Sequence, residues 1–176
     1  MLNISYSASY DPYHTAFRFL TLLQARVSEN ADYDWLRIAD FYLCFPHRLA
    51  EFRVPREITG MKKRINVLVK ALPEVHYAAL PDSNVLFDRM SVVQDTALSA
   101  LSKQEIVRLS VLNNRRYVSL QPSRIPQPLA EGVQKATDNQ TELLSILADD
   151  FLKIKILGPG GLKDRSGLGE FRYDTV

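Results

Sequence analysis

At 176 residues, with 46% hydrophobic and 24% charged side chains, the chain has an ordinary globular composition and is long enough to bury a core. A formal net charge of +2 excludes binding to polyanions through the whole-molecule field, so any such affinity must come from a local patch. Cys44 is the single cysteine, which excludes an internal disulfide and a thiolate-built zinc cluster; no apolar run approaches the ~20 residues that span a bilayer, and Met1 to Tyr10 lack the basic-then-apolar order of a secretion signal, so the expected compartment is the cytoplasm.

Asp11-Pro12 reads as a helix start, with the aspartate as N-cap and proline at the first helical position. Ala16, Phe17, Leu20, Leu23 and Val27 recur at helical spacing and predict an amphipathic helix from Pro12 to Val27. The polar stretch Ser28–Asp32 ends it. Asp32 or Asp34 then caps a second helix, apolar on most sides through Trp35, Leu36, Ile38, Ala39, Tyr42, Leu43 and Phe45, and therefore central to the core. Pro46 stops or bends it, and a helical turn covers His47–Phe52. A third helix begins near Gly60, with Met61, Ile65, Leu68, Val69 and Leu72 on one face. Pro73 and Pro81 bracket a loop. A fourth helix from Asn84 to Leu101, capped by Asp82 or Ser83, points Leu86, Met90, Val93, Ala97 and Leu101 inward.

From Ile106 the period changes. Val107, Leu109 and Val111 alternate with Arg108 and Ser110, and Tyr117–Leu120 is strand-like, which predicts a β-hairpin with a four-residue connection Asn113–Arg116. A helix over Gln104–Leu112 suits the same residues. Pro122 to Pro128 is a proline-rich, extended linker. It leads into a long helix over Pro128–Leu152, whose Leu129, Val133, Ala136, Gln140, Leu143 and Leu147 form a seam at coiled-coil spacing. That seam faces either the chain's own core or a partner. The tail, Gly158–Val176, opens with Gly-Pro-Gly-Gly, and its last residues suit an extended strand.

The fold class that follows is α+β: mainly helical with a small β-hairpin. Residues 1–121 form a winged-helix-like domain; residues 122–176 add the linker, long helix and tail, packing on that domain or on a partner.

The tests for chemistry are negative. A P-loop needs Gly-x-x-x-x-Gly-Lys-Ser/Thr; here Lys163 follows a displaced glycine, and Asp164 stands where the hydroxyl belongs. His14, His47 and His76 show no helical pairing, so no metal is expected. Cys44 lies in an apolar helix without a basic neighbour, which suits an inert thiol. The expectation is a non-enzyme without a cofactor. In the winged-helix arrangement Lys62, Lys63 and Arg64 sit early on a groove-facing helix and Arg115 and Arg116 in the wing, so these five are the candidate contacts to double-stranded DNA, each cluster being equally readable as a solvated face. Leu129, Val133, Leu143 and Leu147 of the seam and Phe171, Arg172 and Tyr173 of the tail are the candidate partner contacts. A stand-alone winged-helix DNA-binding regulator is the competing function.

Three segments carry a resemblance. Asp11-Pro12-Tyr13-His14-Thr15-Ala16-Phe17-Arg18, Ile38 to Pro46, and Gly161 to Asp174 resemble the middle component of bacterial three-component ABC (ABC-3C) defence systems, a group to which the Lamassu anti-phage systems belong. The resemblance implies a small winged-helix-containing adaptor between an ABC ATPase of the SMC/Rad50 kind, which senses DNA, and an effector, often a nuclease, which it helps to restrain.

Overall fold

A computed structural model describes residues 8–26, 30–73 and 80–169. Helix α1 (Pro12–Ala25) starts as expected: the Asp11 carboxylate accepts the backbone N–H groups of Tyr13 and His14 at 2.8 and 3.1 Å, and Pro12 follows. Val27, the expected helix end, lies outside the described residues. Asn30–Asp32 forms strand β1, a three-residue element within what the sequence suggests is only a polar stretch. Asp32 then caps α2 (Tyr33–Cys44), its carboxylate accepting the Asp34 amide at 2.9 Å. Pro46–Glu51 makes a 3-10 turn, close to the expected one.

Helix α3 (Met61–Ala71) begins at Gly60, whose φ of 81° suits glycine, and buries Met61 and Ile65. Most of the Pro73–Pro81 loop, His76 included, lies outside the described residues. Helix α4 (Ser83–Lys103) turns Leu86, Phe87, Met90, Ala97 and Leu101 inward. It ends with Glu105 at φ 57°, and the Ile106 amide donates back to the Leu101 carbonyl at 3.0 Å, a left-handed C-terminal cap.

Strands β2 (Val107–Leu112) and β3 (Arg115–Leu120) form the hairpin, so the helical alternative over Gln104–Leu112 is not adopted. The connection is shorter than expected. Leu112 pairs with Arg115, leaving only Asn113 and Asn114 in the turn, at φ 51° and 59°. Two asparagines tolerate the two positive φ angles that a tight hairpin turn demands. Arg115 and Arg116 therefore belong to β3. The sheet is antiparallel with order β1-β3-β2, and Ala31 pairs with Val118 on its core face.

Beyond the sheet the expected elements are shorter. Pro122–Arg124 is a 3-10 turn, so the linker is not extended throughout. The long helix is broken: α5 (Gln127–Asn139) stops at Gln140, α6 (Thr141–Ser145) is brief, and Ile146–Asp150 winds into a wider π-type turn. The run Thr137-Asp138-Asn139-Gln140-Thr141 is poor in helix formers, and its side chains compete for backbone groups, Thr141 Oγ1 donating to the Asp138 carbonyl.

The glycine-rich stretch folds back on itself. Gly158 and Gly160 have φ of 78° and 71°, and a Cβ on Gly161 would lie 2.6 Å from the Leu157 carbonyl oxygen. Asp164 accepts the Gly160 amide and Arg165 Nε donates to the Gly160 carbonyl, both at 2.7 Å, which orients helix α7 (Leu162–Ser166) so that Leu162 is buried. The amides that a phosphate loop would offer to a ligand are committed here to the chain itself. One hydrophobic cluster takes Phe19, Trp35 and Phe41 together with Val133, Leu147, Phe151 and Leu162, so residues before and after the linker share a core.

Candidate interaction surfaces

Lys62 and Lys63 are exposed on the first turn of α3, which holds no acidic residue. Cations there oppose the helix dipole. Arg64 points elsewhere: it meets Glu142 at 2.7 Å, Asp150 at 2.6 Å and Ser145 at 2.9 Å, while Lys153 completes Asp150 at 2.7 Å. These contacts clamp α3 to the broken helix; the hydrogen bond that Arg64 donates to Glu142, opposed by desolvation, raises the Arg64 pKa.

Arg115 and Arg116 are also engaged within the chain. Arg115 pairs with Asp32, whose carboxyl is pushed up by burial, an effect Arg115 opposes. Arg116 meets Asp95 at 3.1 Å and lies 4.2 Å from the centre of the Tyr33 ring, while the Tyr33 hydroxyl donates to the same Asp95 oxygen at 2.9 Å. Of the five basic residues singled out in the sequence, Lys62 and Lys63 stand apart from these pairs. Lys62/Lys63, Arg64 and Arg115/Arg116 rest on different supports: α3 packs on the Pro46–Glu51 turn and the π-type turn, whereas the arginines of β3 lie over β1 and α4.

The seam residues face inward. Val133, Leu143 and Leu147 are buried and Leu129 is half-buried against the same cluster, so the chain's own core takes most of this seam. Close approach explains this: Gly132 of α5 sits against the Phe17 ring of α1, and Gln24 donates to Gln134 at 2.9 Å. A 3-4 spacing of leucines describes a helix buried in its own chain as well as it describes a coiled coil. Phe171, Arg172 and Tyr173 lie outside the described residues.

A surface not singled out in the sequence is the outer edge of the sheet. Strand β2 pairs only with β3 among the described residues, and it exposes Leu109, Val111 and Leu112 at 42, 71 and 62%. Val92, 73% exposed, lies one turn of α4 before Asp95, the residue that Arg116 reaches from the position opposite Val111. The alternation of Val107, Leu109 and Val111 was visible as a half-buried strand, but of the three only Val107 is buried.

No group of histidine, cysteine and acidic side chains suited to a metal occurs among the described residues. His47 Nε2 lies 2.8 Å from the Pro73 carbonyl. Burial, and then Asp40, push the Cys44 thiol far up, with Arg18 opposing, which disfavours a thiolate. No helix among the described residues is long and apolar enough to cross a membrane.

The family model for the ABC-three component (ABC-3C) system Middle Component 5 matches residues 4–174. No match was found among curated proteins or among solved structures. The chain belongs to the middle-component family of ABC-3C systems.

Proposed function

We propose, from membership of this family, that the chain is a non-catalytic bridging subunit of an anti-phage defence complex of the Lamassu type. It would join an SMC/Rad50-like ABC ATPase to an effector, for which a nuclease is our choice, and help restrain that effector until DNA is sensed. The observation carrying the bridging role is the β2 edge, which has no strand beside it other than β3 among the described residues and exposes Leu109, Val111 and Leu112. An apolar edge strand of this kind invites pairing with another chain, and its exposed apolar side chains, Leu109 and Val111 on one face and Leu112 on the other, add surface that such a partner would cover. Phe171, Arg172 and Tyr173 of the tail are proposed as further partner contacts.

Co-expression with the products of neighbouring genes tests this. The wild-type chain is expected to co-purify with a large coiled-coil ATPase or an effector, and a Val111→Lys/Leu112→Glu variant is expected to lose that partner while melting within about 1 kcal/mol of wild type, as for a surface substitution. A monomer that captures no neighbouring product would sink the proposal.

A second reading, a stand-alone winged-helix DNA-binding regulator, is favoured by one observation. The order α1-β1-α2, then α4-β2-β3, with sheet order β1-β3-β2, is what a winged helix would give if α3 were an insertion. The groove-facing helix would then be α4, and Lys62, Lys63 and Arg64 of the inserted α3 together with Arg115 and Arg116 would be its contacts to phosphates. Duplex affinity that falls steeply with salt and drops in a Lys62→Ala/Lys63→Ala variant would support it, and no duplex binding at low salt would remove it.

A further inference from the structure

On the sheet face opposite Val118, the strand register aligns Asn30 with Ser119 and Ser119 with Arg108. The end of α1 brings Arg26 beside this row, and together with Ser110 and Gln121 these residues line a cleft of about 710 Å³. The cleft lies apart from Lys62, Lys63, Arg64, Arg115 and Arg116, none of which lines it.

Unlike Arg115 and Arg116, its two guanidinium groups have no carboxylate in ion-pair contact among the described residues. Arg115 and Arg116 are held by Asp32 and Asp95. Arg108 is exposed and forms no ion pair among the described residues. Arg26 lies 4.6 Å over the Trp35 ring and donates through Nη2 to the Asn30 carbonyl at 3.0 Å. Its Nε and Nη1 are buried and have no hydrogen-bond partner among the described residues. Buried donors left unmade are costly; the nearby Asp32 carboxylate offsets part of that cost at Arg26 without a hydrogen bond to it, and the exposed Arg108 offers the cleft a charge with no ion-pair partner among the described residues.

Donor chemistry and size narrow the ligand. Two guanidinium groups beside hydroxyl and side-chain amide groups exceed what one carboxylate accepts, and arginine, serine, asparagine and glutamine are the side chains that contact phosphate and sugar oxygens. Leu23 and Pro122 supply apolar lining, and the volume is in the range of small-molecule sites. We propose that this cleft binds one nucleotide unit by its phosphate, through Arg26 and Arg108, with the Asn30–Ser119 row beside them. The nucleotide is either free or part of a strand. The site stands independently of the bridging role.

The test uses the full chain at low salt with three fluorescent probes: an ATP analogue, a single-stranded oligothymidylate and a short duplex. At least one is expected to bind. Arg108→Ala, an exposed substitution that leaves the core untouched, is expected to weaken that binding about tenfold or more, the scale of a lost charged hydrogen bond. Ser119→Ala should weaken it by a smaller factor. For a strand, the slope of log K against log salt should fall by about one in Arg108→Ala. Binding of the ATP analogue alone identifies a free nucleotide; binding of either strand identifies a nucleic acid, and each supports the site. Three results overturn it: no probe binds, Arg108→Ala binds as wild type does, or Lys62→Ala/Lys63→Ala loses as much as Arg108→Ala. Arg108-dependent binding of a polyglutamate peptide, with no nucleotide bound, overturns it in favour of an acidic protein partner.

Discussion

Replacing Asp40 by alanine is expected to remove about 3–5 kcal/mol of folding stability, the cost of stranding one member of a buried ion pair. Asp40 is 0% exposed on α2 and accepts Arg18 Nε at 2.6 Å from α1 and Gln94 Nε2 at 2.9 Å from α4. Gln94 is itself buried, and its Oε1 accepts Arg37 Nε at 2.9 Å. Arg18 also donates to the Ala8 carbonyl and to Thr15 Oγ1. Burial draws the Arg18 pKa down, and Asp40, with smaller help from Cys44 and Asp11, more than offsets it, so the guanidinium is a full charge held in place chiefly by its carboxylate. Without Asp40 that charge remains and the Gln94 amide loses an acceptor. For a chain of this size the melting temperature should fall by about 6–20 °C in a thermal melt followed by circular dichroism. An Arg18→Met/Asp40→Leu double variant should cost less than the two single changes added, because no orphaned charge is left. A drop of under about 1 kcal/mol in Asp40→Ala would show that water or rearrangement already satisfies Arg18.

Trp35→Ala is the second large effect, at about 3–5 kcal/mol for emptying a fully buried aromatic site. Trp35 sits in the first turn of α2, and its indole N–H donates to the Leu147 carbonyl at 2.9 Å. That bond ties the π-type turn to α2, and a π-type turn leaves carbonyls that the α-helical pattern would have satisfied. Trp35→Phe keeps most of the volume and removes the donor, so about 1–3 kcal/mol is expected, the cost of a buried acceptor left without a partner. Urea melts read by far-ultraviolet circular dichroism distinguish the two, since Trp35 is the only tryptophan and fluorescence is lost with it. Equal losses in the two variants would mean that the hydrogen bond, and not the packing, carries the whole effect.

The parts of this fold that were legible in the sequence are those whose cause is local. Asp11-Pro12, Asp32 and the alternation of Val107, Leu109 and Val111 act on their own neighbours, and each marks its element correctly. The family, too, was legible, because its segments are contiguous runs such as Ile38 to Pro46. Asn30-Ala31-Asp32 carries no such signal: as a strand it exists only through its pairing with Tyr117–Ser119. The basic clusters show the same limit. Arg64 reads as part of a Lys-Lys-Arg patch, but its partners Glu142 and Asp150 are 78 and 86 residues away, and nothing near Arg64 announces them. The leucine seam left both readings open for a related reason, since its spacing says that one face is buried and not what buries it. Arg26 and Arg108 were unremarkable as sequence and became notable only when β1, β2 and the end of α1 met at one cleft.

The pairing of β1 with β3 also bears on how the chain comes off the ribosome. Asn30 waits for Ser119, 89 residues later, and Trp35 for Leu147, 112 residues later, before either has its native partner. At about 5–20 residues per second, translation of the intervening stretch takes several seconds or more. During that time Phe19, Leu22 and Trp35 lack the residues 143–162 that cover them in the finished core. Contacts this distant slow folding, and nascent chains that expose such a surface depend on chaperones or on a neighbouring subunit translated alongside. Truncation before residue 143 should therefore yield an aggregating fragment and not a smaller working domain.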